Sequence, residues 1–308
     1  MIPETVAALI DELAEDHTSG AAEIATRACQ VLIILAEEAE AEGADSFLEQ
    51  LVTTGRALIQ AQPSMAPLFN LVNSIVGSVE GVRAVETARN LARTCAEDFG
   101  AQLRLCNERI AQEALSLFPS GCRVLIHSRS STVLEALQLA AARGHRLEVV
   151  CTESRPILEG RAVAATLADK GIKTTLITDS AVAQFVGSAD LVVVGADSIS
   201  PDGLVNKMGT YGVALAARVR EVPFYALCGT EKFLPAGYPY LRIEPQDPKE
   251  VWPDAPQGVE VLNLYFDVTP LEYLSGVVTQ QGILSLRELE EALGQIETHH
   301  ILLDEEPI

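Results

Sequence analysis

Apolar positions in the first third of the chain recur at helical spacing. Val6, Leu9, Ile10 and Leu13 follow an i, i+3, i+4, i+7 pattern, with Pro3 at a favoured first-turn position. The stretch from Asp16 through Ser19, Gly20 and Ala21 breaks that helix and caps a second, which carries Ile24, Val31, Leu32 and Leu35. A third helix is predicted over roughly Asp45–Ala61, and Gln62-Pro63-Ser64 ends it. Leu68, Leu71, Val72 and Ile75 mark a fourth. From Val79 to Leu117 the pattern predicts one long helix bent near Gly100. No strand-like alternation occurs before residue 120, so residues 1–118 are expected to form a helical domain.

The pattern changes at Cys122. Short apolar runs follow: VLIH at 124–127, LEVVC at 147–151, TTLIT at 174–178, LVVV at 191–194 and PFYALC at 223–228. Helical stretches separate them, from Ser130 to Arg143, Glu159 to Lys170 and Thr210 to Arg220. This alternation predicts an α/β domain over residues 119–308, a Rossmann-like parallel sheet covered on both faces. Leu191–Val194, four consecutive apolar residues, reads as its buried central strand. Residues 234–258, rich in Pro and Gly, are expected to be irregular, with late strands at VLNLYF (261–266) and VVTQQG (277–282). Ser285 and Glu288 form a capping box for a last helix. His299-His300 and the acidic residues Asp304, Glu305 and Glu306 read as a frayed tail.

Charge narrows the function classes. With 22 basic against 43 acidic residues the net charge is −21, which argues against a nucleic-acid surface or an anionic membrane partner. Small anionic ligands stay open, because a few local cations can dominate a cleft. The six cysteines are scattered without a CxxC pair, as in a reduced cytosolic protein. Neither a leader pattern nor an apolar run of membrane-spanning length is present, so a soluble, cytoplasmic protein is expected.

Open α/β sheets place ligands beyond the carboxyl ends of their strands, and four polar loops are predicted there. They are 127–131 (His-Ser-Arg-Ser-Ser), 152–155, Asp179-Ser180 and the stretch from Asp197 to Lys207. In the last, Pro201-Asp202-Gly203 forms a turn, and Asn206, Lys207 and the helix opening at Gly209-Thr210 offer an amide, an ammonium and free N–H groups. The alternative is a strand end capped by Asp197, with Lys207 an ordinary surface cation. Ser130 and Ser131 suit either phosphate binding or simple helix capping. Arg155 suits either a bidentate phosphate clamp or an ion pair with Glu153 or Glu159. His127 stacks or hydrogen-bonds at a strand end. Asp267 either caps the helix after it or faces the cleft. GxGxxG, GxxxxGK[ST], HExxH and GxSxG are all missing, and no metal or cofactor is expected.

Six segments, in order, resemble one known family: IHSRSSTVLEAL (126–137), TESRPILEGR (152–161), TDSAV (178–182), GADSISPDGLVNKMGT (195–210), VPFYALCGTEKF (222–233) and FDVTP (266–270). TSGA (18–21) and QPSMAPLFN (62–70) are weaker counterparts. The family unites the α, β and δ subunits of initiation factor 2B with ribose-1,5-bisphosphate isomerase and methylthioribose-1-phosphate isomerase. The resemblance implies a helical domain on a Rossmann-like domain, and a homodimer or higher assembly. It also implies a site for a phosphorylated ribose or a nucleotide. The isomerases use a cysteine and an aspartate as their acid/base pair; the aspartate falls on Asp197 and the cysteine position on Ser128, whose hydroxyl does not readily shuttle a proton at neutral pH. Two phosphate-binding arginines of the isomerases correspond to Ser19, in Ser19-Gly20-Ala21, and to Gln62. Ser130, Ser131 and Thr132, the Asn206-Lys207 pair and Lys232 are retained. The resemblance therefore implies either an aldose–ketose isomerase of ribose 1-phosphates or a non-catalytic, initiation-factor-2B-like sensor subunit.

Overall fold

The computed structural model describes residues 2–16, 19–238 and 241–303. Five helices come first: α1 (Glu4–Ala14), α2 (Ala21–Glu38), α3 (Ala44–Ala61), α4 (Ala66–Val79) and α5 (Val85–Glu113). Their apolar faces share one core built on Ile24, Leu32, Phe47, Leu58, Phe69 and Ile75. The long helical stretch is interrupted at Glu80–Ala84, where Glu80 leaves helical geometry and Gly81 adopts φ +74°, and α5 continues without a break through Gly100. Gly100 is buried where α5 faces α2, and a Cβ there would make ordinary contact with Cys29 Sγ at 3.7 Å.

A seven-stranded sheet follows. Its strands are β1 (Arg123–Ile126), β2 (Glu148–Thr152), β3 (Lys173–Ile177), β4 (Leu191–Val194), β7 (Phe224–Leu227), β9 (Gly276–Thr279) and β10 (Gly282–Leu284). The spatial order is β10-β9-β7-β4-β1-β2-β3, parallel except for the edge hairpin β9–β10. Strand side chains alternate between two cores. Val124, Ile126, Val149 and Val193 meet α6 (Ser131–Ala142), α7 (Glu159–Asp169) and the second half of α5. Leu125, Val150, Val192 and Val194 meet the single turn α8 (Val182–Phe185), α9 (Thr210–Val219) and α10 (Leu286–Leu293). Helix α5 thus belongs to both halves of the molecule. Ala88, Ala92 and Ala96 sit in the helical core, whereas Cys106, Ile110 and Ala111 sit against the sheet.

Three expectations are corrected. The segment from Asp197 to Lys207 is a β-hairpin, β5 (Ser198–Ser200) and β6 (Gly203–Lys207), not a loop. With β8 (Phe266–Thr269) it forms a separate three-stranded antiparallel sheet. VLNLYF is not a strand; only its last residue, Phe266, enters β8, because Asn263 is tied to the irregular segment before it, donating to the Asp247 carbonyl and to Glu250 at 2.8 Å each, and Leu262 faces solvent. The late strand expected from Val277 is present as β9, which ends at Thr279; Gln280-Gln281 are the turn of the edge hairpin and β10 begins at Gly282. Finally, His299 and His300 are not frayed: the chain returns to the helical bundle, where Leu302 is fully buried and Arg56 donates to the Ile301 carbonyl at 2.7 Å. Asp304, Glu305 and Glu306 lie outside the described residues.

Candidate ligand site at the strand carboxyl ends

Strands β1 and β4 are neighbours, yet the chain leaves β1 toward β2 and leaves β4 toward β7. Their loops therefore diverge and open a crevice, the topological switch point at which doubly wound sheets take ligands. An open cleft lies there. Its walls come from Ser128–Ser131 after β1, Gly195–Asp197 after β4, Glu159 at the start of α7, Asn206 and Lys207 on β6, Lys232, and the α1–α2 junction.

The β1 loop is held from beneath. His127 Nε2 lies 3.0 Å from the Met208 carbonyl, which can only accept, and Nδ1 lies 2.7 Å from Thr152 Oγ1. Burial lowers the imidazole's affinity for protons, so the ring is neutral: Nε2–H donates and Nδ1 accepts from Thr152. Thr152 Oγ1 contacts Ser154 Oγ at 3.0 Å, and Ser154 Oγ accepts the Ser128 N–H at 2.9 Å. Ser128 sits at φ +67°, in the left-handed region. Its hydroxyl donates to Glu159 Oε1 at 2.9 Å. Glu159 Oε1 also pairs with Lys207 Nζ at 3.1 Å, and Nζ stands 4.5 Å from the centre of the Tyr265 ring.

Glu159 reaches the cleft because α7 begins almost on top of β2. A Cβ on Gly160 would lie 1.9 Å from the Thr152 carbonyl oxygen, so only glycine permits the approach. Gly195 does the same for the β1 loop, since a Cβ there would lie 2.7 Å from Ser130 Cβ and Oγ. Ser130 accepts the Val133 N–H at 3.3 Å and caps α6, whose N-terminus opens on the cleft through Ser131.

Asp197 leaves the β4 end with its main chain fixed on both sides. Its N–H donates to Val205 O at 2.9 Å and its carbonyl accepts from Ala66 N at 3.2 Å. Its carboxyl has no hydrogen-bond partner among the described residues. Burial pushes its pKa up; Lys232 and Lys207 pull it down, and Glu159 adds to the rise. Lys232 Nζ donates to Ala196 O at 2.6 Å. Asn206 Nδ2 donates to Thr210 Oγ1 at 2.9 Å. Asp267 caps α9, accepting the Gly209 and Tyr211 N–H groups at 2.8 and 3.2 Å. It caps a helix that precedes it in sequence, not the segment after it.

The helical part closes the far side. Ser19 N–H donates to Asp16 Oδ1 at 2.9 Å, and Gly20 N–H to Glu23 Oε2 at 3.3 Å. Glu23 pairs with Arg129 at 2.7 Å, across the cleft mouth. Gln62 Nε2 donates to the Leu13 and Asp16 carbonyls at 2.8 and 3.1 Å, so its amide closes the end of α1. Ser19, Gly20, Ala21 and Gln62 all line the cleft, and Thr18 lies outside the described residues. Two expected residues do not line it. Thr132 is buried and donates to Asn107 Oδ1 on α5 at 2.8 Å, which anchors α6. Arg155 is exposed, its guanidinium on the Val251 carbonyl at 3.1 Å; Glu153 pairs with Arg161 instead. Sequence reasoning missed Glu159 as a cleft residue, treating it only as a surface partner for Arg155. The Leu-Glu-Gly run at the start of α7 was the available signal.

The model of the initiation factor 2 subunit family matches residues 17–286, spanning both the bundle and the sheet. The chain belongs to this family. It is 33% identical over 286 residues to an eIF-2B subunit 2-like protein of Pyrococcus furiosus, covering 92% of this chain and 98% of the relative. It is 34% identical to the ribose 1,5-bisphosphate isomerase of Archaeoglobus fulgidus, covering 91% and 90%. The crystal structure of a translation initiation factor eIF-2B from Pyrococcus horikoshii superposes with a TM-score of 0.80 at 31% identity, covering 92% and 98%. The family match ends at residue 286, so the segment that returns to the bundle lies beyond it. No helix among the described residues is long and apolar enough to cross a membrane.

Proposed function

We propose that the cleft binds a phosphorylated ribose and interconverts its aldose and ketose forms, with Asp197 as the proton-transferring group. The observation that carries this reading is a half-buried carboxyl, held by no hydrogen bond among the described residues and facing the same cleft as two buried lysines. A group raised by burial exchanges protons nearer neutral pH than a free aspartate does. Lys207, Lys232 and the α6 N-terminus hold the phosphate, and Asn206 addresses sugar hydroxyls. The conversion is redox-neutral overall: the bond between C1 and the ring oxygen breaks and that oxygen takes up a proton, the hydrogen on C2 moves to C1, and the C2 hydroxyl gives up its proton through Asp197 to become the ketose carbonyl. Ser128, donating to Glu159, orients the substrate and does not carry the proton. The resemblance to isomerases named for ribose 1,5-bisphosphate supports this reading.

A second reading has its own observation. Where the isomerases have a thiol stands the Ser128 hydroxyl, and Glu159 neutralises Lys207 within the cleft. A ligand-sensing subunit that binds sugar phosphate or nucleotide without turnover fits that balance. Under either reading the functional unit is a homodimer or higher assembly of this chain.

Carbon and phosphorus NMR of the protein with ribose 1,5-bisphosphate and with methylthioribose 1-phosphate separates the readings. Ketose signals that vanish in Asp197→Asn support the isomerase. Line broadening without product supports the sensor. Absence of both overturns the sugar-phosphate site.

A further inference from the structure

The described segment beyond α10 returns to α4, and three potential metal ligands meet there. Glu80 closes the C-terminus of α4. His299 Nε2 lies 3.0 Å from Glu80 Oε2, and His300 Nε2 lies 3.2 Å from Glu80 Oε1. The two imidazoles stack with centroids 4.7 Å apart, and all three ligand atoms lie within 4.8 Å of one another. Adjacent residues in a chain ordinarily send their side chains in different directions. Here both rings turn the same nitrogen toward one carboxylate.

The arrangement is preorganised by main-chain contacts. Asn73 on α4 donates to the Glu297 carbonyl at 3.1 Å and accepts the His299 N–H at 2.7 Å. The His299 ring lies over Gly77, where a Cβ would touch Cδ2 at 3.6 Å. Its Nδ1 is buried without a hydrogen-bond partner, so Nε2 is the nitrogen presented outward. Leu302, fully buried, holds the next turn.

We propose that Glu80, His299 and His300 form a zinc site that staples the C-terminal segment to the helical bundle. Zinc bonds of about 2.0–2.2 Å put neighbouring tetrahedral ligands about 3.3–3.5 Å apart; each imidazole is already that near one Glu80 oxygen, and with one ligand atom from each residue the set lies within 4.8 Å, so small side-chain rotations bring all three onto one ion. Two imidazoles and one carboxylate are a zinc donor set with a fourth position left for water, and His300 is exposed enough to leave that position open. The ion also resolves the electrostatics of the cluster. A divalent cation gives the Glu80 carboxylate and the lone pairs of the two imidazoles one common partner. On a chain of net charge −21, the resulting local positive charge is favourable.

The test is titration of the full-length protein with Zn²⁺ by calorimetry in an excess of Mg²⁺, with Co²⁺ as a spectroscopic substitute. About one equivalent should bind in the micromolar range or tighter, and Co²⁺ should give four-coordinate visible bands without a thiolate charge-transfer band. His300→Gln and Glu80→Gln, both at exposed positions and so compatible with folding, should each weaken binding by tenfold or more. His145→Gln, on the far side of the sheet, should leave it unchanged. Affinity unaffected in His300→Gln, a thiolate band, heat abolished by Mg²⁺, or no heat at all overturns the proposal.

Discussion

Removing the Glu159 carboxylate strands a buried ammonium. Glu159 and Lys207 keep 11% and 8% of their side-chain surface and stand 3.1 Å apart. Unit charges at that separation attract by about 5 kcal/mol at an effective dielectric near 20. Truncating one member of a buried pair costs about 3–5 kcal/mol, because the other charge is left uncompensated. The Tyr265 ring, 4.5 Å from Nζ, stays in place after the substitution. It retains about 1–2 kcal/mol of cation–π attraction. Glu159→Ala should therefore destabilise the protein by about 2–3 kcal/mol, lowering the thermal midpoint by about 3–5 °C in a chain of this size. The double variant Glu159→Gln/Lys207→Met removes both charges at similar volume and should regain most of that loss. Calorimetric melts of wild type, Glu159→Ala, Glu159→Gln and the double variant measure this directly. Inorganic phosphate adds a functional reading: the freed Lys207 should bind it, so phosphate should raise the Glu159→Ala midpoint more than that of wild type. A double variant no more stable than Glu159→Gln would refute the argument, since the cost would then not come from a stranded charge.

The carboxyl at Asp197 sets a pH dependence of opposite sign to a salt-bridged aspartate. Its folded pKa is raised by burial, so the folded chain holds a proton the unfolded chain releases, and stability falls as pH rises from about 4 toward the folded value. Asp197→Asn should flatten that decline and raise the midpoint at neutral pH while abolishing turnover; a steeper decline would contradict it. Gly160→Ala should cost about 3 kcal/mol or more in chemical denaturation and detach Glu159 from the cleft, because the methyl group collides with the Thr152 carbonyl. Asp267→Ala, which deletes the acceptor for two N–H groups at the start of α9, should cost about 1–2 kcal/mol, with Asp267→Asn recovering part of it.

Local pattern determined most of the architecture. The apolar periods of α1 to α4, the runs of β1, β2, β3, β4 and β7, and the capping groups Ser130 and Ser285 depend on neighbours within a few residues, and each is legible in the sequence. So was the place of the cleft, because strand–helix alternation fixes which loops leave the carboxyl ends. The hairpin β5–β6 escaped because Ser-Ile-Ser and Gly-Leu-Val-Asn-Lys show neither the continuous apolar run of β1 and β4 nor a sustained alternation, and their pairing is set by the turn and by β8. Tertiary structure alone decided the partners. Glu159 turns inward to Ser128 and Lys207 because Gly160 lets α7 close on β2, a contact between positions 48 residues apart for the ion pair and 31 for the hydroxyl. Gln62 spends its amide on the end of α1, Arg155 faces outward, and Thr132 turns to α5. The sharing of α5 between two cores and the return of His299 to α4 are decided the same way. Each of these follows from which surfaces meet when the elements pack, and a one-dimensional pattern states which residues are apolar without stating which polar ones will face each other.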